Sequence, residues 1–289
     1  MTQMILNACL DACAILPVAL DVWLVYRVCR FFPFTTSAVF TLVPYLVCSF
    51  SFVLGSGAST LLAFSLALTL LFPIGWYIAS RVASCQEASL QLFLLSLGIL
   101  VLTQNSLSIV YGSQPIPLDM SMRESLFHFP FGSFGLSRAL IFLWGMMSLA
   151  LISLLHCKTS LGKRWQAIAS DPELSKIVGV SIKGAIAAAL ATGAILTGGA
   201  GILQGLDTAL TPHMGLSVFM QSVVVVVIGG RRISGVVGVC FAMVFLQDLI
   251  AYMIGTQWHE MVAFSLLLLY MVVYPRGARS HTSSFIGCQ

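Results

Sequence analysis

The sequence predicts an all-α polytopic membrane protein. We expect a single transmembrane domain over residues 1–289, built as a bundle of eight or nine transmembrane helices with short cytoplasmic helices. Hydrophobic residues make up 58% of the chain and charged residues 8%, whereas about a quarter of a soluble domain is charged. Apolar runs of about 20 residues, the length that crosses a bilayer, recur along the whole chain. One long polar passage, residues 158–183, interrupts them.

The apolar runs give nine candidate spans, of which residues 212–230 are the weakest. That run begins polar and ends in Gly-Gly, so it fits a half-spanning helix as well as a full span. Because no basic flank precedes the first run, we expect it to remain as a membrane helix and not to be cleaved. The spans are residues 5–26, 34–54, 58–80, 88–111, 137–157, 184–206, 212–230, 233–254 and 258–274.

The Lys and Arg residues predict an orientation. If nine spans alternate, all the basic residues except Arg123 and Arg138 lie on the same side as residues 158–183. Positive residues favour the cytoplasmic side, so we expect that passage and the C-terminus inside and the N-terminus outside. A count of eight spans would change the side of the membrane on which the N-terminus lies. The outer loop, residues 112–136, is expected to be a connector, with docking of a delivery protein as the alternative.

The polar passage predicts two short helices outside the bilayer, over residues 162–169 and 172–178. Asp171 is a capping carboxylate, Pro172 is pre-set for the first helical turn, and Glu173 faces the positive end of the helix. Gly179 supplies the stop. A capped polar loop of this kind is typical of a surface that contacts a partner.

Glycine-rich spans predict close helix packing. Small residues let helix backbones approach in lipid, where no hydrophobic force acts between helices. Residues 184–205 are the densest such run, and we expect that helix to be central in the bundle. The glycines expected to pack helices are Gly198, Gly201, Gly205, Gly229, Gly230, Gly235 and Gly238.

Three acids lie inside the apolar runs, where charged groups are costly and usually face a cavity or a partner. Asp11 and Asp21 flank Pro17 in the first span, and Asp248 lies in the eighth. A polar path through the bundle is one interpretation. For Asp21 we favour the other, a pairing with Arg27 or Arg81 near the cytoplasmic interface. For Asp11 and Asp248, both interpretations remain open.

Catalysis and metal binding by this chain are not supported by its sequence. HExxH, GxSxG and phosphate-cradling glycine motifs are absent from it, the histidines are isolated, and the eight cysteines form no CxxC pair. The basic residues are scattered singly, which argues against nucleic-acid binding. We therefore expect no catalytic residue, no metal site and no cofactor bound by this chain.

From residue 162 onward, a series of motifs resembles a known family. The first is Gly-x-Arg-x-x-Ala-x-Ala-x-Asp, formed by Gly162, Arg164, Ala167, Ala169 and Asp171. It is followed in order by Ala200-Gly201-Ile202-Leu203-x-Gly205, Pro212-x-Met214-Gly215, Val227-Ile228-Gly229-Gly230, Gly235, Gly238 and Tyr274-Pro275-x-Gly277. The chain resembles the LivH-type permease family of branched-chain amino acid ABC transporters.

The resemblance implies a permease subunit in a bacterial cytoplasmic membrane, importing branched-chain or other small amino acids, or a related small solute such as urea. It implies a second, similar or identical permease, two ATPase subunits that bind ATP and Mg, and a soluble substrate-binding protein outside. The alternative is a self-sufficient secondary transporter or channel, in which the intramembrane acids carry protons or bind a cation.

Under this resemblance, residues 158–183 are the loop that the ATPases grip, and nucleotide-driven movement passes through it to the bundle. We expect exposed apolar anchors at Trp165, Ile168, Leu174 and Ile177, with a polar rim of Arg164, Asp171 and Glu173. Gly162, Ala167, Ala169 and Gly179 complete the loop motif. Candidate residues for the translocation path are Asp11, Thr35, Thr36, Gln221 and Asp248.

Overall fold

The computed structural model describes residues 2–54, 89–116, 126–129, 132–253 and 255–273, and these are nearly all helical. Besides the connecting loops, the non-helical parts of those ranges include a two-stranded antiparallel hairpin, one 3-10 turn, Thr256–Trp258, and an isolated β-bridge. The elements are α1 (Thr2–Cys29), α2 (Thr35–Leu54), α3 (Ser89–Tyr111), β1 (Leu126–Phe129), β2 (Gly132–Gly135), α4 (Leu136–Lys158), α5 (Ser160–Ser170), α6 (Pro172–Ile177), α7 (Ile182–Asp207), α8 (Met214–Gly229), α9 (Ile233–Met253) and α10 (His259–Val273).

Five helices in the described ranges, α1, α3, α4, α7 and α9, are long and apolar enough to cross a membrane. Three more are apolar but shorter. One of these, α8, has 16 residues, about 24 Å at 1.5 Å per residue, which agrees with the expected weak span at residues 212–230. The predicted span 58–80 lies outside the described residues, so the count of eight or nine stays a prediction.

The first helix lies at the centre of the bundle. It contacts α4, α7, α8 and α9, and 83% of its apolar stretch is buried, against 50% for α7. The glycine-rich helix α7 packs against α1, α2, α4 and α5, as expected of a helix central in the bundle, although α1 is the more deeply buried of the two. Pro17 lies inside α1 without ending it.

Glycines make the closest helix contacts, although not at every expected position. A Cβ atom on Gly201 of α7 would overlap the Phe40 carbonyl of α2, and one on Gly229 would meet Val236 across the turn between α8 and α9. Gly198 and Gly205 are buried, Gly235 lies against Gly229, and Gly230 forms that turn with a φ of 69°. Gly238 was wrongly expected to pack, because it is exposed and a Cβ atom there would touch nothing within 4 Å.

The ends of the helices separate the polar residues into two groups. At one end, the start of α4 meets the end of α7, where Arg138 pairs with Asp207 at 3.5 Å. Residues 112–116, the described start of the outer loop, lie at this end, where Ile116 pairs with Leu210 as an isolated β-bridge. At the other end lie the last turns of α1 and α4, the helices α5 and α6, and most of the described basic residues. The described basic residues are therefore concentrated at one end of the bundle, and the side of the membrane that this end faces stays a prediction.

Candidate functional site

The short helices α5 and α6 form as the sequence predicts, because each has its own cap. The Thr159 hydroxyl accepts a hydrogen bond from the Gly162 amide at 3.2 Å and starts α5. The Asp171 carboxylate accepts from the Glu173 and Leu174 amides at 2.9 and 3.2 Å and starts α6. Gly179 ends the unit with a φ of 84°. The geometry of the two helices is therefore encoded locally.

The expected exposure of Trp165 and Ile168 is wrong. Trp165 is 1% exposed, Ile168 is equally buried, and both belong to the main apolar core around α1. The Trp165 indole donates a hydrogen bond to the Ala185 carbonyl at 2.8 Å, which ties α5 to α7. Gly162 is buried against the end of α4, where a Cβ atom would overlap the Leu155 carbonyl. Hence the apolar face of α5 is part of the bundle and does not supply anchors for a partner.

The exposed part of the passage is α6. Leu174 is 61% exposed and Ile177 is 83% exposed, as expected for apolar anchors, and Val178 beside them was missed. We call these three residues the α6 patch. Arg164, Asp171 and Glu173 are exposed, as a polar rim requires, while Ala167 and Ala169 are half-buried. A pocket of about 410 Å³ lies next to the patch, with Lys176 and Lys183 on its wall.

A cluster of polar and aromatic side chains joins the C-terminal part of α1 to the C-terminal end of α4, next to α5. The Arg27 guanidinium lies 3.2 Å from His156 Nε2, and its carbon is 5.2 Å from the centroid of the Trp23 ring. Trp23 and His156 make an edge-to-face contact at 5.4 Å. Gln166 of α5 donates to the His156 carbonyl at 2.8 Å. The cluster fixes the three helices to one another at the basic end of the bundle.

Asp21 was expected to pair with Arg27 or Arg81, and the first pairing is wrong. Arg27 is engaged by Trp23 and His156, and Arg81 lies outside the described residues. The Asp21 carboxylate instead lies near the Thr36 side chain of α2 and rests against Gly193 of α7, where a Cβ atom would overlap it. The carboxylate is thus enclosed by three helices.

The other candidate path residues are not gathered at one point. Thr35 and Thr36 lie together in the buried first turn of α2, and Gln221 is buried in α8. Asp11 and Asp248 are half-buried on α1 and α9, and both have partners. The sequence pointed to Thr36 as a candidate path residue but did not connect it with Asp21. The two residues come together through the packing of α2 against α1, which spacing along the chain does not reveal.

Comparisons with known proteins agree with this architecture. A family model described as "Branched-chain amino acid transport system / permease component" matches residues 5–272. The protein of solved structure "PsaBC from Streptococcus pneumoniae in complex with Fab" is similar in fold, with a TM-score of 0.53 and 16% identity. The match covers 92% of this chain and 90% of that one. At this identity, the likeness shows the fold alone.

Two curated relatives are similar in sequence. They are the LivH permease proteins of the high-affinity branched-chain amino acid transport systems of Salmonella typhimurium strain LT2 and Escherichia coli strain K12, each 23% identical to this chain. The matched region spans 63% of this chain and 61% of each relative. The family is one of transporter membrane subunits, which agrees with a multi-pass chain that is not itself a catalyst. This chain therefore belongs to the family of permease components of branched-chain amino acid transport systems.

Proposed function

We propose that this chain is a membrane-spanning permease subunit of an ATP-binding cassette importer for branched-chain or other small amino acids. Membership of the permease family and the names of the relatives support the substrate class. The observation that carries the proposal is the α6 patch, an apolar surface on a capped helix at the basic end of the bundle. A surface of this kind suits the groove of a partner protein.

Movement of the partner reaches the bundle through α5. The ATPase subunits bind α6, and α5 follows because only Asp171 separates the two helices. Movement of α5 is transmitted to α7 through the hydrogen bond from Trp165 to Ala185, and to α4 through the contact of Gly162 with α4. Since both helices pack on α1, their displacement changes the central interfaces and opens them to one side at a time.

The remaining partners follow from the same scheme. A second permease, similar or identical, completes the path, and two ATPase subunits bind ATP and Mg, while this chain binds neither. A soluble binding protein delivers the solute at the opposite end, where the outer loop lies. The protein resides in the bacterial cytoplasmic membrane with α6 and the C-terminus inside, because basic residues favour that side.

Purification of the tagged chain from its native membranes tests this proposal. The expected preparation contains ATPase subunits and a second permease and hydrolyses ATP in the presence of Mg. Leucine-loaded binding protein should raise the rate of hydrolysis. A pure, folded chain that carries no ATPase activity in mild detergent would contradict the proposal.

A further inference from the structure

The link between α1 and α2 folds back into the helix bundle. Asp21 lies eight residues before the end of α1, which is about 12 Å along the helix. Since the Thr36 side chain, in the first turn of α2, lies near Asp21, α2 begins at about that level of α1 and residues 30–34 run back into the bundle without helical structure. The Phe34 amide is satisfied there by the Ser96 hydroxyl of α3, at 3.3 Å. Irregular backbone at membrane depth occurs where it is buried in protein or lines a cavity, and transporters bind substrate at such breaks.

The Asp21 carboxylate at this break has unused hydrogen-bonding capacity. The side chain is 3% exposed, and the Thr36 hydroxyl is the polar group described beside it on α2. A carboxylate accepts about four hydrogen bonds, so a single neighbouring hydroxyl leaves most of its capacity open. Gly193 presents no side chain to it. An ionised carboxylate enclosed in this way is costly unless a cation or several donors compensate it.

The described protein does not supply that cation. Arg27 is the nearest basic residue along α1, and its guanidinium is held by His156 and Trp23. The ion pair in the described ranges joins Arg138 to Asp207, at the opposite end of the bundle. The described neighbours of Asp21 on α2 and α7 are the Thr36 hydroxyl and Gly193, and neither carries a positive charge.

The surroundings fit a solute that is charged at one end and apolar at the other. In the same turn of α2, the Ser37 hydroxyl is buried and has no hydrogen-bond partner among the described residues. Two residues before Thr36, Phe34 packs against Phe219 and Phe93, with ring centroids 4.9 and 5.3 Å apart. Unused polar groups and an aromatic wall therefore lie within one short segment.

We propose that Asp21 binds the positively charged amino group of the transported solute, and that Thr36 positions the Asp21 carboxylate. The three N–H donors of an ammonium group match the open acceptor positions of the carboxylate. The solute enters when α7 moves away from α1 and uncovers Asp21 at Gly193. This inference rests on the proposed function, because it requires the chain to carry an amine-bearing solute.

The test compares leucine with its 2-hydroxy analogue, which replaces the amino group by a hydroxyl. Binding of each is measured by calorimetry on the assembled complex in nanodiscs, without the binding protein. We expect the wild type to prefer leucine by at least tenfold and Asp21→Asn to reduce that preference to nearly one. Asp207→Asn, the same charge change at the outer end of the bundle, should keep the wild-type preference.

A preference for leucine that persists in Asp21→Asn, or that is missing from the wild type, would overturn the inference. If Asp21→Asn fails to assemble, Thr36→Val provides the test, with an expected several-fold loss of preference at retained assembly and an unchanged preference as the refuting result. Wild-type uptake of leucine driven by ATP separates the two proposals. A complex that takes up leucine but keeps its preference in Asp21→Asn contradicts this inference alone, and one that does not take up leucine contradicts the proposed function.

Discussion

Truncation of the α6 patch should weaken the binding of the ATPase subunits. Burying an Ile or Leu side chain completely is worth about 1.5–3 kcal/mol. Since Ile177 is 83% exposed and Leu174 is 61% exposed, a partner that covers both gains roughly 2–4 kcal/mol. Alanine keeps one carbon of each side chain, so the double change to Ala should cost about 1.5–3.5 kcal/mol, or roughly a 10- to 400-fold loss of affinity.

The assay is the dissociation constant between the permease pair and the ATPase subunits, measured in detergent by mass photometry or calorimetry. Because both side chains are exposed, the melting temperature of the permease alone should not change. Leu143→Ala is the matched control, since Leu143 is similarly exposed but lies on the apolar face of α4. A loss of affinity below threefold for the double variant, or an equal loss for the control, would refute the assignment of α6 as the contact.

Four further substitutions have defined outcomes. Trp165→Phe removes the indole donor and some volume from the core, so thermal unfolding should show a loss of about 1–2 kcal/mol, and unchanged stability would contradict the burial of Trp165. Gly201→Ala should destabilise the protein or prevent its assembly, whereas Gly238→Ala should be neutral or stabilise it by about 0.5–1 kcal/mol, and the reverse order in unfolding assays would contradict the described packing. Asp171→Ala removes the cap of α6 and should cost about 1 kcal/mol, seen as faster hydrogen exchange confined to α6, while exchange at the wild-type rate would count against the cap.

Local signals predicted the polar passage well. The cap at Asp171, the proline after it and the glycine at residue 179 are short-range features, and α5 and α6 form between them as expected. Apolar runs likewise located the long helices to within a few residues. Such features depend on neighbours along the chain, so sequence alone suffices to find them.

The exposure of α5 was predicted wrongly, although the sequence held a signal for it. Leu161, Trp165 and Ile168 follow the spacing of one helical face. In a soluble loop helix, that stripe faces the body of the protein, and the structure buries Trp165 and Ile168 there. The resemblance to the permease family had suggested that the apolar residues of this loop face a partner.

The sequence could not predict which membrane helices pack against one another, because a uniformly apolar run does not show which of its faces contacts protein. Lipid and protein interior are equally apolar, so the pattern does not distinguish α1 at the centre from a helix at the edge. For the same reason, the sequence did not distinguish the exposed Gly238 from Gly201, which packs against α2. Asp21 could be recognised as unusual, but its contacts with Thr36 and Gly193 arise from helices that are distant in sequence.

The most direct test of the central claim is leucine uptake into proteoliposomes that hold this chain with its second permease and ATPase subunits. Binding protein is supplied outside, and ATP with Mg is enclosed in the lumen. Uptake should depend on lumenal ATP and should stop when the α6 patch is truncated, with no need for an ion gradient. Uptake by this chain alone, driven by a proton or sodium gradient without ATP, would contradict the account and favour a secondary transporter.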